Sequence, residues 1–318
     1  MFKNKIILIT GGTGSWGNET VLQLLKYNPK EIRIYSRGEF AQVTMQRKFN
    51  DKRLKFIIGD VRDLEALKSV CIGVNIIIHL AALKHVPICE QYPNEAVKTN
   101  IIGTQNLIEA AISNKVDKVI DVSTDKACGA NNLYGMTKAV GEKLILNANN
   151  RSSTKFVVIR GGNVLGSNGS VVPLFIKQLK DGKNLTITDA NMTRYFLTLP
   201  EAIKLLFTAI ESDLYNCIFV MKMPSFKIID IAKVLIEQYA NNRDVFIDFT
   251  GIRPGEKIHE ILVSQAESIM TYVYNKNYYV ISYDKLNLRK TDFLEYASNT
   301  YIFSEDDIKK LLTKGGYL

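Results

Sequence analysis

Short apolar, β-branched stretches alternate with segments of helical periodicity through the first half of the chain. The apolar stretches occupy residues 5–10, 31–36, 54–58, 74–80, 118–122 and 156–160. The helix-like segments between them occupy residues 19–27, 40–49, 93–113 and 134–149. Strands that are apolar throughout are buried on both faces, and such strands joined by helices form a parallel sheet covered on both sides. The sequence therefore predicts an α/β fold with a doubly wound parallel sheet.

The alternation weakens after residue 160. Helix-like segments follow at 171–179, 200–210 and 228–239, with short apolar stretches at 185–188 and 217–220. We therefore predict a main domain over residues 1–160 and a smaller C-terminal α/β lobe over 161–318, from which strands could return to the main sheet. No low-complexity linker separates the two parts, so we expect them to share an interface.

Charge and cysteine usage exclude several classes of protein. The chain has 318 residues and a net charge of +9, but its basic residues occur at most in pairs, so no patch for nucleic acid or lipid is predicted. The four cysteines have no C-x-x-C spacing, and the three histidines have no ligand spacing, so we predict neither a metal site nor disulfides. No apolar run approaches the about 18 residues of a membrane span. A cytoplasmic protein without membrane attachment is expected.

A glycine-rich segment follows the first predicted strand directly and leads into a helix-like segment. It reads Thr10-Gly11-Gly12-Thr13-Gly14-Ser15-Trp16-Gly17. Glycines allow the backbone to approach a pyrophosphate closely, and the positive end of the following helix faces the same charge. Any strand-to-helix turn can contain glycine, but this position in the first βαβ unit indicates a Rossmann dinucleotide site. Its candidate residues are Gly11, Thr13, Gly14, Ser15, Trp16 and Gly17.

The end of the second predicted strand bears on the choice between NAD and NADP. An acidic residue in this region would bind the adenosine ribose of NAD, whereas this chain has Ser36 and Arg37 there. A guanidinium can bind the 2′-phosphate of NADP in a bidentate manner, so NADP is the predicted cofactor. The alternative is that Arg37 is a solvated turn residue and Glu39 contacts the ribose. Asp60 and Val61, after the third strand, are placed to touch the adenine.

Candidate catalytic residues follow the fifth predicted strand. The strand ends in Val122-Ser123-Thr124-Asp125-Lys126, and Tyr134 and Lys138 come shortly afterwards at the start of a helix. Residues four apart share one helix face, and an ammonium beside a phenol lowers the pKa of the phenol. We therefore predict that Lys138 prepares Tyr134 as a base. Tyr272 and Lys276 repeat this spacing with no glycine turn or strand end beside them, and we interpret that pair as chance.

These motifs together resemble a known family. The matching segments are Tyr35-Ser36-Arg37, Ile58-Gly59-Asp60-Val61-Arg62-Asp63, Ala81-Ala82-Leu83-Lys84-His85-Val86-Pro87, Lys98-Thr99-Asn100-Ile101, Ser123-Thr124-Asp125-Lys126-Ala127, Asn132-Leu133-Tyr134-Gly135, Gly169-Ser170-Val171-Val172-Pro173, Ile187-Thr188-Asp189, Met192-Thr193-Arg194 and Gly251-Ile252-Arg253-Pro254-Gly255-Glu256-Lys257. With the glycine turn they make nearly the whole chain resemble the extended short-chain dehydrogenase/reductases. More narrowly, it resembles the inverting UDP-N-acetylglucosamine 4,6-dehydratases of the pseudaminic-acid type.

The resemblance implies a reaction and its catalytic residues. Tyr134 would take the proton of the sugar 4-hydroxyl while NADP⁺ takes the hydride from carbon 4, and the ketone formed acidifies the hydrogen on carbon 5. Lys126 is then the implied carbon-5 base and Asp125 the implied acid at the 6-hydroxyl, although the two roles could be exchanged. Hydride returns to carbon 6, so tightly bound NADP is regenerated in each turnover. Inversion at carbon 5 would yield UDP-2-acetamido-2,6-dideoxy-β-L-arabino-hex-4-ulose.

The resemblance also implies binding residues and an assembly state. The implied cofactor contacts, besides those of the glycine turn and the strand ends, are Ala81, Ala82, Lys84, Thr99, Tyr134, Lys138 and Val164. The implied contacts to UDP-N-acetylglucosamine, or to a close UDP-amino-sugar, are Lys84, Asn163, Val171, Thr188, Arg194, Arg253 and Glu256. A homo-oligomer, for example a hexamer, is expected.

Two other functional classes remain open from the sequence. One is a retaining UDP-sugar 4,6-dehydratase or a 4-epimerase, since both begin with oxidation at carbon 4. The other is a non-catalytic protein that binds NADP or a nucleotide sugar on the same fold. A protein that only binds has no need of Tyr134, Lys138, Asp125 and Lys126 together, so we rank this reading last.

Overall fold

A large twisted sheet forms the centre of the molecule. The computed structural model describes residues 1–166 and 170–318, so Gly169 of the predicted substrate motif lies outside the described residues. The strands, in chain order, are β1 (Ile6–Thr10), β2 (Glu31–Ser36), β3 (Leu54–Ile58), β4 (Ile76–His79), β5 (Lys118–Thr124), β6 (Lys155–Gly161), β7 (Asn163–Val164), β8 (Leu185–Ile187), β9 (Thr193–Leu197), β10 (Cys217–Met221), β11 (Ser225–Lys227), β12 (Ile247–Phe249), β13 (Ile261–Val263), β14 (Thr271–Val273), β15 (Tyr278–Ser282) and β16 (Tyr296–Ala297).

The order of the strands places the main cleft. In the described part of the chain, the large sheet has nine strands in the order β14-β15-β10-β6-β5-β4-β1-β2-β3. The strands from β3 to β10 run parallel, and β15 and β14 are added antiparallel at one edge. The chain direction across the sheet reverses between β1 and β4. Ligands bind outside the carboxyl ends of the strands at such a switch point.

Helices cover both faces of the large sheet. They are α1 (Ser15–Leu24), α2 (Glu39–Phe49), α3 (Leu64–Val70), α4 (Val86–Gln91), α5 (Pro93–Val97), α6 (Gly103–Ser113), α7 (Leu133–Ala148), α8 (Val171–Lys180), α9 (Leu199–Glu211), α10 (Ile228–Tyr239), α11 (Gln265–Ser268) and α12 (Glu305–Lys314). One hydrophobic core contains buried side chains of α1, α2 and α9, and a second contains those of α3, α6 and α7. The sheet is therefore doubly wound, as predicted.

A third core belongs to the second half of the chain. Phe175 of α8, Ile231 of α10 and Leu312 of α12 are buried together with residues of β8, β9 and β11. This smaller lobe adjoins the carboxyl ends of the main strands. The second half also returns to the first, because β10, β14 and β15 lie in the large sheet and α9 covers it. The domain boundary at residue 160 stays a prediction.

The main departures from the predicted elements have local causes. The predicted helix 93–113 is interrupted, since a π-helical turn over Lys98–Ile102 separates α5 from α6. A π turn inserts an extra residue and redirects a side chain, and here it points Asn100 at Leu83. Strands β14 and β15 were not predicted: β14 is a short edge strand, and β15 lies between β14 and β10, a pairing with a remote segment that no local pattern records. In the described residues we find no helix of the length and apolarity needed to cross a bilayer.

Candidate active site

A single large cavity extends from the glycine turn, past the ends of β4 and β5, to the smaller lobe. Its volume is about 940 Å³. Most predicted site residues line it: Gly11, Thr13, Gly14, Ser15, Trp16, Ser36, Arg37, Asp60, Val61, Ala81, Ala82, Lys84, Thr99, Lys126, Tyr134, Asn163, Val164, Val171, Thr188, Arg194, Arg253 and Glu256. Three predicted site residues do not line the cavity, because they pack or form ion pairs behind its lining residues: Gly17, Asp125 and Lys138.

The glycine turn is shaped to accept a close ligand. Gly11 has a φ of +66°, and a Cβ there would lie 2.8 Å from the backbone of Ala81. A Cβ on Gly17 would lie 2.0 Å from the carbonyl oxygen of Gly12, so this position requires glycine for packing rather than for contact with a ligand. Helix α1 starts after Gly14 without a side-chain cap. Its first N–H groups therefore point toward the cavity, which is the arrangement that suits a pyrophosphate.

The far end of the cavity carries the predicted determinant of NADP binding. Ser36 and Arg37 line the cavity, whereas Glu39, in the first turn of α2, is not among its lining residues. The Arg37 side chain is 55% exposed, and its guanidinium lies 4.0 Å from the carboxylate of Asp60. Asp60 is engaged more closely by Arg62 at 2.6 Å, and hydrogen bonds from Arg62 hold the pKa of Asp60 below its ordinary value. Arg37 therefore keeps free donors at the cavity edge.

Lys126 lies at the centre of a buried charge cluster. Its Nζ is 3.0 Å from Asp125 Oδ1, 3.3 Å from Asn163 Oδ1 and 3.3 Å from Glu260 Oε1. The side chains of Asp125 and Glu260 are 0% and 3% exposed. Burial alone would lower the pKa of Lys126, but the two carboxylates outweigh it and raise that pKa above its ordinary value. Lys126 is therefore an ammonium in the resting structure.

Tyr134 lines the same cavity from the first turn of α7. Asn132 caps this helix by accepting a hydrogen bond from the Gly135 N–H at 2.8 Å, and this fixes where Tyr134 projects. Burial raises the pKa of Tyr134 to about 12, while the Lys126 ammonium and the Thr124 hydroxyl oppose part of that rise. The nearest cation acting on the phenol is thus Lys126.

Lys138 is held by a carboxylate behind the cavity wall. Its Nζ donates to both carboxylate oxygens of Asp121 at 3.1 Å, and the two side chains are 3% and 0% exposed. Asp121 balances the charge of this ammonium inside the protein, and an effect of Lys138 on the pKa of Tyr134 stays a prediction. The spacing of four residues predicted the shared helix face but not the competing carboxylate on β5. Any contact of Lys138 with the cofactor stays a prediction.

The two arginines that were predicted to bind UDP differ in how free their guanidinium groups are to bind a ligand. Arg194 is buried, and its guanidinium donates to the carbonyl oxygens of Thr193, Ile258 and Lys257 at 2.7, 3.0 and 2.8 Å. It therefore holds the following loop in place as well as facing the cavity. Arg253 in that loop is exposed at the cavity wall. Arg253 is the better placed of the two to meet a phosphate.

Two polar residues at the site were not among the sequence predictions. Asn100 donates to the Leu83 carbonyl at 2.9 Å and accepts from the Leu83 N–H at 2.8 Å, which fixes the loop that carries Lys84. The signal for Asn100 was its place beside Thr99 in a matching segment. Glu260 lines the cavity beside Lys126. The only indication of Glu260 in the sequence was an acidic residue within the largely apolar segment that follows Lys257.

Two of the three histidines bind protein groups, and the third, His85, lines the cavity. His79 is buried, its Nδ1 lies 2.7 Å from Thr10 Oγ1, and burial lowers its pKa to about 4. His259 Nδ1 lies 2.8 Å from Thr193 Oγ1. In residues 1–166 and 170–318 no group of three histidine, cysteine or acidic side chains is arranged to hold a metal ion.

The parallel sheet, the glycine turn and the Tyr134 position together define an extended short-chain dehydrogenase/reductase. Within that class, the chain belongs to the family described as polysaccharide biosynthesis protein, whose match spans residues 7–282. This match covers the large sheet as far as the end of β15.

Three similar proteins illustrate the range of this family. The chain is 47% identical to the inverting UDP-N-acetylglucosamine 4,6-dehydratase of Campylobacter jejuni serotype O:2, over 89% of this chain and 84% of that protein. It is 43% identical to a UDP-glucose 4-epimerase of Rickettsia rickettsii, over 100% of this chain and 98% of that protein. Among solved structures, Pen from Bacillus thuringiensis is 36% identical with a TM-score of 0.94, covering 100% of this chain and 99% of that one.

Proposed function

We propose that this protein is an NADP-dependent UDP-N-acetylglucosamine 4,6-dehydratase that inverts carbon 5. The observation that carries the proposal is that Lys126, Tyr134 and the glycine turn line one cavity, which continues to Arg253 in the smaller lobe. In this proposal Tyr134 is the base for a hydroxyl and Lys126, with Asp125 behind it, is the second acid/base pair, between the glycine turn and Arg253. The similarity to the Campylobacter jejuni dehydratase supports the same reaction.

Tyr134 begins the reaction by accepting the proton of the sugar 4-hydroxyl. Bound in its oxidised form, NADP supplies the hydride acceptor for carbon 4 and adds a positive charge near the phenol. That charge acts in the same direction as Lys126 and opposes the effect of burial on the Tyr134 pKa. Tyr134 holds the proton while carbon 4 is a ketone.

Lys126 and Asp125 then carry out the elimination as a pair. Transfer of one proton from Lys126 Nζ to Asp125 Oδ1, 3.0 Å away, breaks an N–H bond, forms an O–H bond and leaves both groups neutral. Neutral Lys126, which lines the cavity, takes the proton from carbon 5. Asp125 lies behind it, but Thr124 lines the cavity and donates to Asp125 Oδ1 at 2.9 Å. Once Oδ1 carries the proton, this hydrogen bond reverses: Asp125 donates to Thr124 Oγ1 as the Thr124 hydroxyl gives its own proton to the departing 6-oxygen, which leaves as water.

The test is one incubation of the purified protein with UDP-N-acetylglucosamine in D₂O. We expect a product that has lost one water, seen by mass spectrometry, and that carries deuterium at carbon 5. Ring couplings in the NMR spectrum should show inverted configuration at that carbon. An isomer with unchanged mass would contradict dehydration.

A second candidate function is 4-epimerisation or retaining dehydration of a UDP-sugar. The full-length similarity to the Rickettsia rickettsii protein named UDP-glucose 4-epimerase favours testing it. Incubation with UDP-glucose separates epimerisation from dehydration, because only dehydration changes the mass. Ring couplings in the NMR spectrum of the dehydrated product then separate retention from inversion at carbon 5. A non-catalytic binding protein would leave both nucleotide sugars unchanged.

Replacing Arg37 with Ala should lower the affinity for NADP⁺ by about 10- to 100-fold and leave that for NAD⁺ almost unchanged. A charge-assisted hydrogen bond to a phosphate contributes about 1.5–3 kcal/mol, and the half-exposed Arg37 guanidinium has free donors at the cavity. Titration calorimetry with both dinucleotides measures the ratio.

Arg62→Ala is the matched control for Arg37→Ala. Arg62 binds the same carboxylate of Asp60, yet it does not line the cavity within the described residues. We expect it to leave the ratio of the two affinities unchanged. If Arg37→Ala lowered the affinities for NADP⁺ and NAD⁺ by the same factor, Arg37 would not bind the 2′-phosphate.

The proposal includes a cytoplasmic homo-oligomer, with a hexamer as one expected form. Neighbouring helices α4 and α7 expose apolar side chains that an assembly would cover. Ile88, Met136 and Val140 are 44%, 48% and 42% exposed. Their place beside the Tyr134 helix would connect the assembly to the active site.

A further inference from the structure

Glu260 is a buried carboxylate at the active site with no assigned task. It is 2% exposed and precedes β13. Its backbone is fixed on both sides by Ser298, since the Glu260 N–H donates to Ser298 Oγ at 2.9 Å and the Ser298 N–H donates to the Glu260 carbonyl at 2.8 Å. Within residues 1–166 and 170–318, Glu260 Oε2 has no hydrogen-bond partner. A buried, partly unsatisfied carboxylate is costly to the fold, so its retention here calls for a reason.

The contacts of Glu260 connect two cations. Oε1 lies 3.3 Å from Lys126 Nζ and 3.6 Å from Arg194 Nε. Arg194 is itself fixed by the carbonyl groups of Thr193, Ile258 and Lys257. The carboxylate is therefore held rigidly beside Lys126, and Arg194 compensates its charge.

We propose that Glu260 is a positioning residue that orients Lys126 toward carbon 5 and stabilises the ammonium that forms when Lys126 removes the proton. The inference rests on the proposed function. In that step the carbon–hydrogen bond at carbon 5 breaks, an N–H bond forms on Nζ, and the electron pair stays on the sugar. Lys126 changes from neutral to positive beside the fixed negative charge of Glu260, so the attraction grows within this step. Because Lys126 is also an ammonium in the resting structure, the gain in rate comes from the fixed position of Nζ beside Glu260.

Asp125 cannot replace Glu260 in this task. Asp125 takes a proton from Lys126 before the step, so it is neutral when the positive charge forms. Glu260 is then the remaining carboxylate within 4 Å of Nζ among the described residues. Other ionisable groups around the cluster act from further away: Arg194 on β9, Glu256 in the loop before β13, Tyr134 on α7 and Tyr195 on β9.

The experiment compares wild type with Glu260→Gln and Glu260→Asp in complex with the dinucleotide. Gln keeps the shape but loses the ion pair that holds Lys126 Nζ in position, so deuterium exchange at carbon 5 and water loss should slow by about a hundredfold. Oxidation at carbon 4, read as reduced-nicotinamide absorbance in a single turnover, should stay within about twofold. Asp keeps the charge and should recover part of the rate.

A readout without substrate separates an electrostatic role from a structural one. The titration midpoint of Lys126, followed by NMR of the 13Cε-labelled side chain, should fall by about 1–3 pH units in Glu260→Gln, because removing a nearby negative charge destabilises the ammonium. Glu256→Gln is the matched control. Glu256 lies 3.7 Å from Arg194 and has no ion pair with Lys126, so it should change the KM and leave the Lys126 midpoint in place.

The outcomes distinguish the two proposals. An unchanged Lys126 midpoint, or equal losses of carbon-4 oxidation, carbon-5 exchange and thermal stability without recovery in Glu260→Asp, would overturn the role of Glu260. If wild type puts no deuterium into UDP-N-acetylglucosamine, the proposed function fails. A lowered Lys126 midpoint in Glu260→Gln would then still establish the coupling between the two side chains.

Discussion

Replacing Tyr134 with Phe should lower kcat by about a thousandfold and abolish the transient reduced-nicotinamide absorbance. General acid–base catalysis by a positioned side chain contributes about 10²- to 10⁴-fold, and Phe removes only the hydroxyl that takes the 4-hydroxyl proton. Without oxidation at carbon 4, the hydrogen on carbon 5 is not acidified, so later steps should stop as well. Stopped-flow absorbance and product analysis measure both effects.

The Tyr134→Phe result has a sharp control within the chain. Tyr272 is followed by Lys276 at the same spacing as Tyr134 and Lys138, but it lies on β14 at the edge of the large sheet, away from the cavity. Tyr272→Phe should leave the absorbance transient unchanged. A normal transient in Tyr134→Phe would contradict the assignment of Tyr134 as the first base.

The pH dependence of the first step follows from the Tyr134 environment. Burial raises the pKa of Tyr134 to about 12 in the free chain. A base must be deprotonated to act, so the rate of oxidation at carbon 4 should increase with pH wherever the phenol remains protonated. Bound NADP⁺ should shift this rise to lower pH, because its positive ring favours the phenolate.

Replacing Lys126 with Met should stop the reaction after the first step. The variant should still produce reduced nicotinamide because Tyr134 is intact, although more slowly, since the Lys126 charge no longer favours the Tyr134 phenolate. Water loss and deuterium uptake at carbon 5 should fall much further, by about a thousandfold. The 4-keto sugar should therefore accumulate on the protein. A normal rate of water loss would contradict the assignment of Lys126 as the carbon-5 base.

The same change should destabilise the protein. Asp125 and Glu260 would be left as buried carboxylates without their shared cation, and breaking a buried ion pair in this way costs about 3–5 kcal/mol. Because its neighbours raise the pKa of Lys126, its contribution to stability is present below the ordinary lysine value and is lost only as the pH rises through the raised value. The free energy of unfolding measured near neutral pH therefore contains the full contribution of the Lys126 ion pairs.

Lys118→Met separates loss of stability from loss of chemistry. Lys118 is 7% exposed, and its Nζ donates to the carbonyl groups of Ile210 and Ser212 at 3.1 and 2.6 Å, outside the site. This variant should lower the melting temperature and keep carbon-5 exchange at temperatures where it is folded. If both lysine variants lost exchange in proportion to stability, Lys126 would have a structural role only.

The central sheet was predictable because its strands are marked locally. The central parallel strands are buried on both faces, so β1, β4 and β6 are nearly continuous apolar runs, whereas β2, nearer the edge, alternates apolar with polar residues. The π turn at Lys98–Ile102 was not predictable in this way. Its amino acids suit an ordinary helix, and the interruption is stabilised by hydrogen bonds from Asn100 to a loop that a helical pattern does not record.

The candidate site likewise combines features that the sequence could predict with features that it could not. The glycine turn, Lys126 and Tyr134 follow strand ends, and parallel strands bring their carboxyl ends to one edge of the sheet, so the sequence could place them together. The sequence could not show that Lys138 pairs with Asp121 or that Arg194 is occupied by the carbonyl groups of a loop. In both cases the side chain has several possible partners, and the packing of remote segments decides which of them it binds.

By itself, then, the sequence determined the doubly wound sheet, the glycine turn after its first strand and the residue types of the cavity, because these depend on periodicity and on residues adjacent along the chain. The tertiary structure alone decided which charges meet: Lys126 with Asp125 and Glu260, Lys138 with Asp121, Arg194 with the loop before β13. The physical reason is that the strength of an ion pair depends on distance and burial. Both are set by how remote segments pack, and no local pattern encodes them.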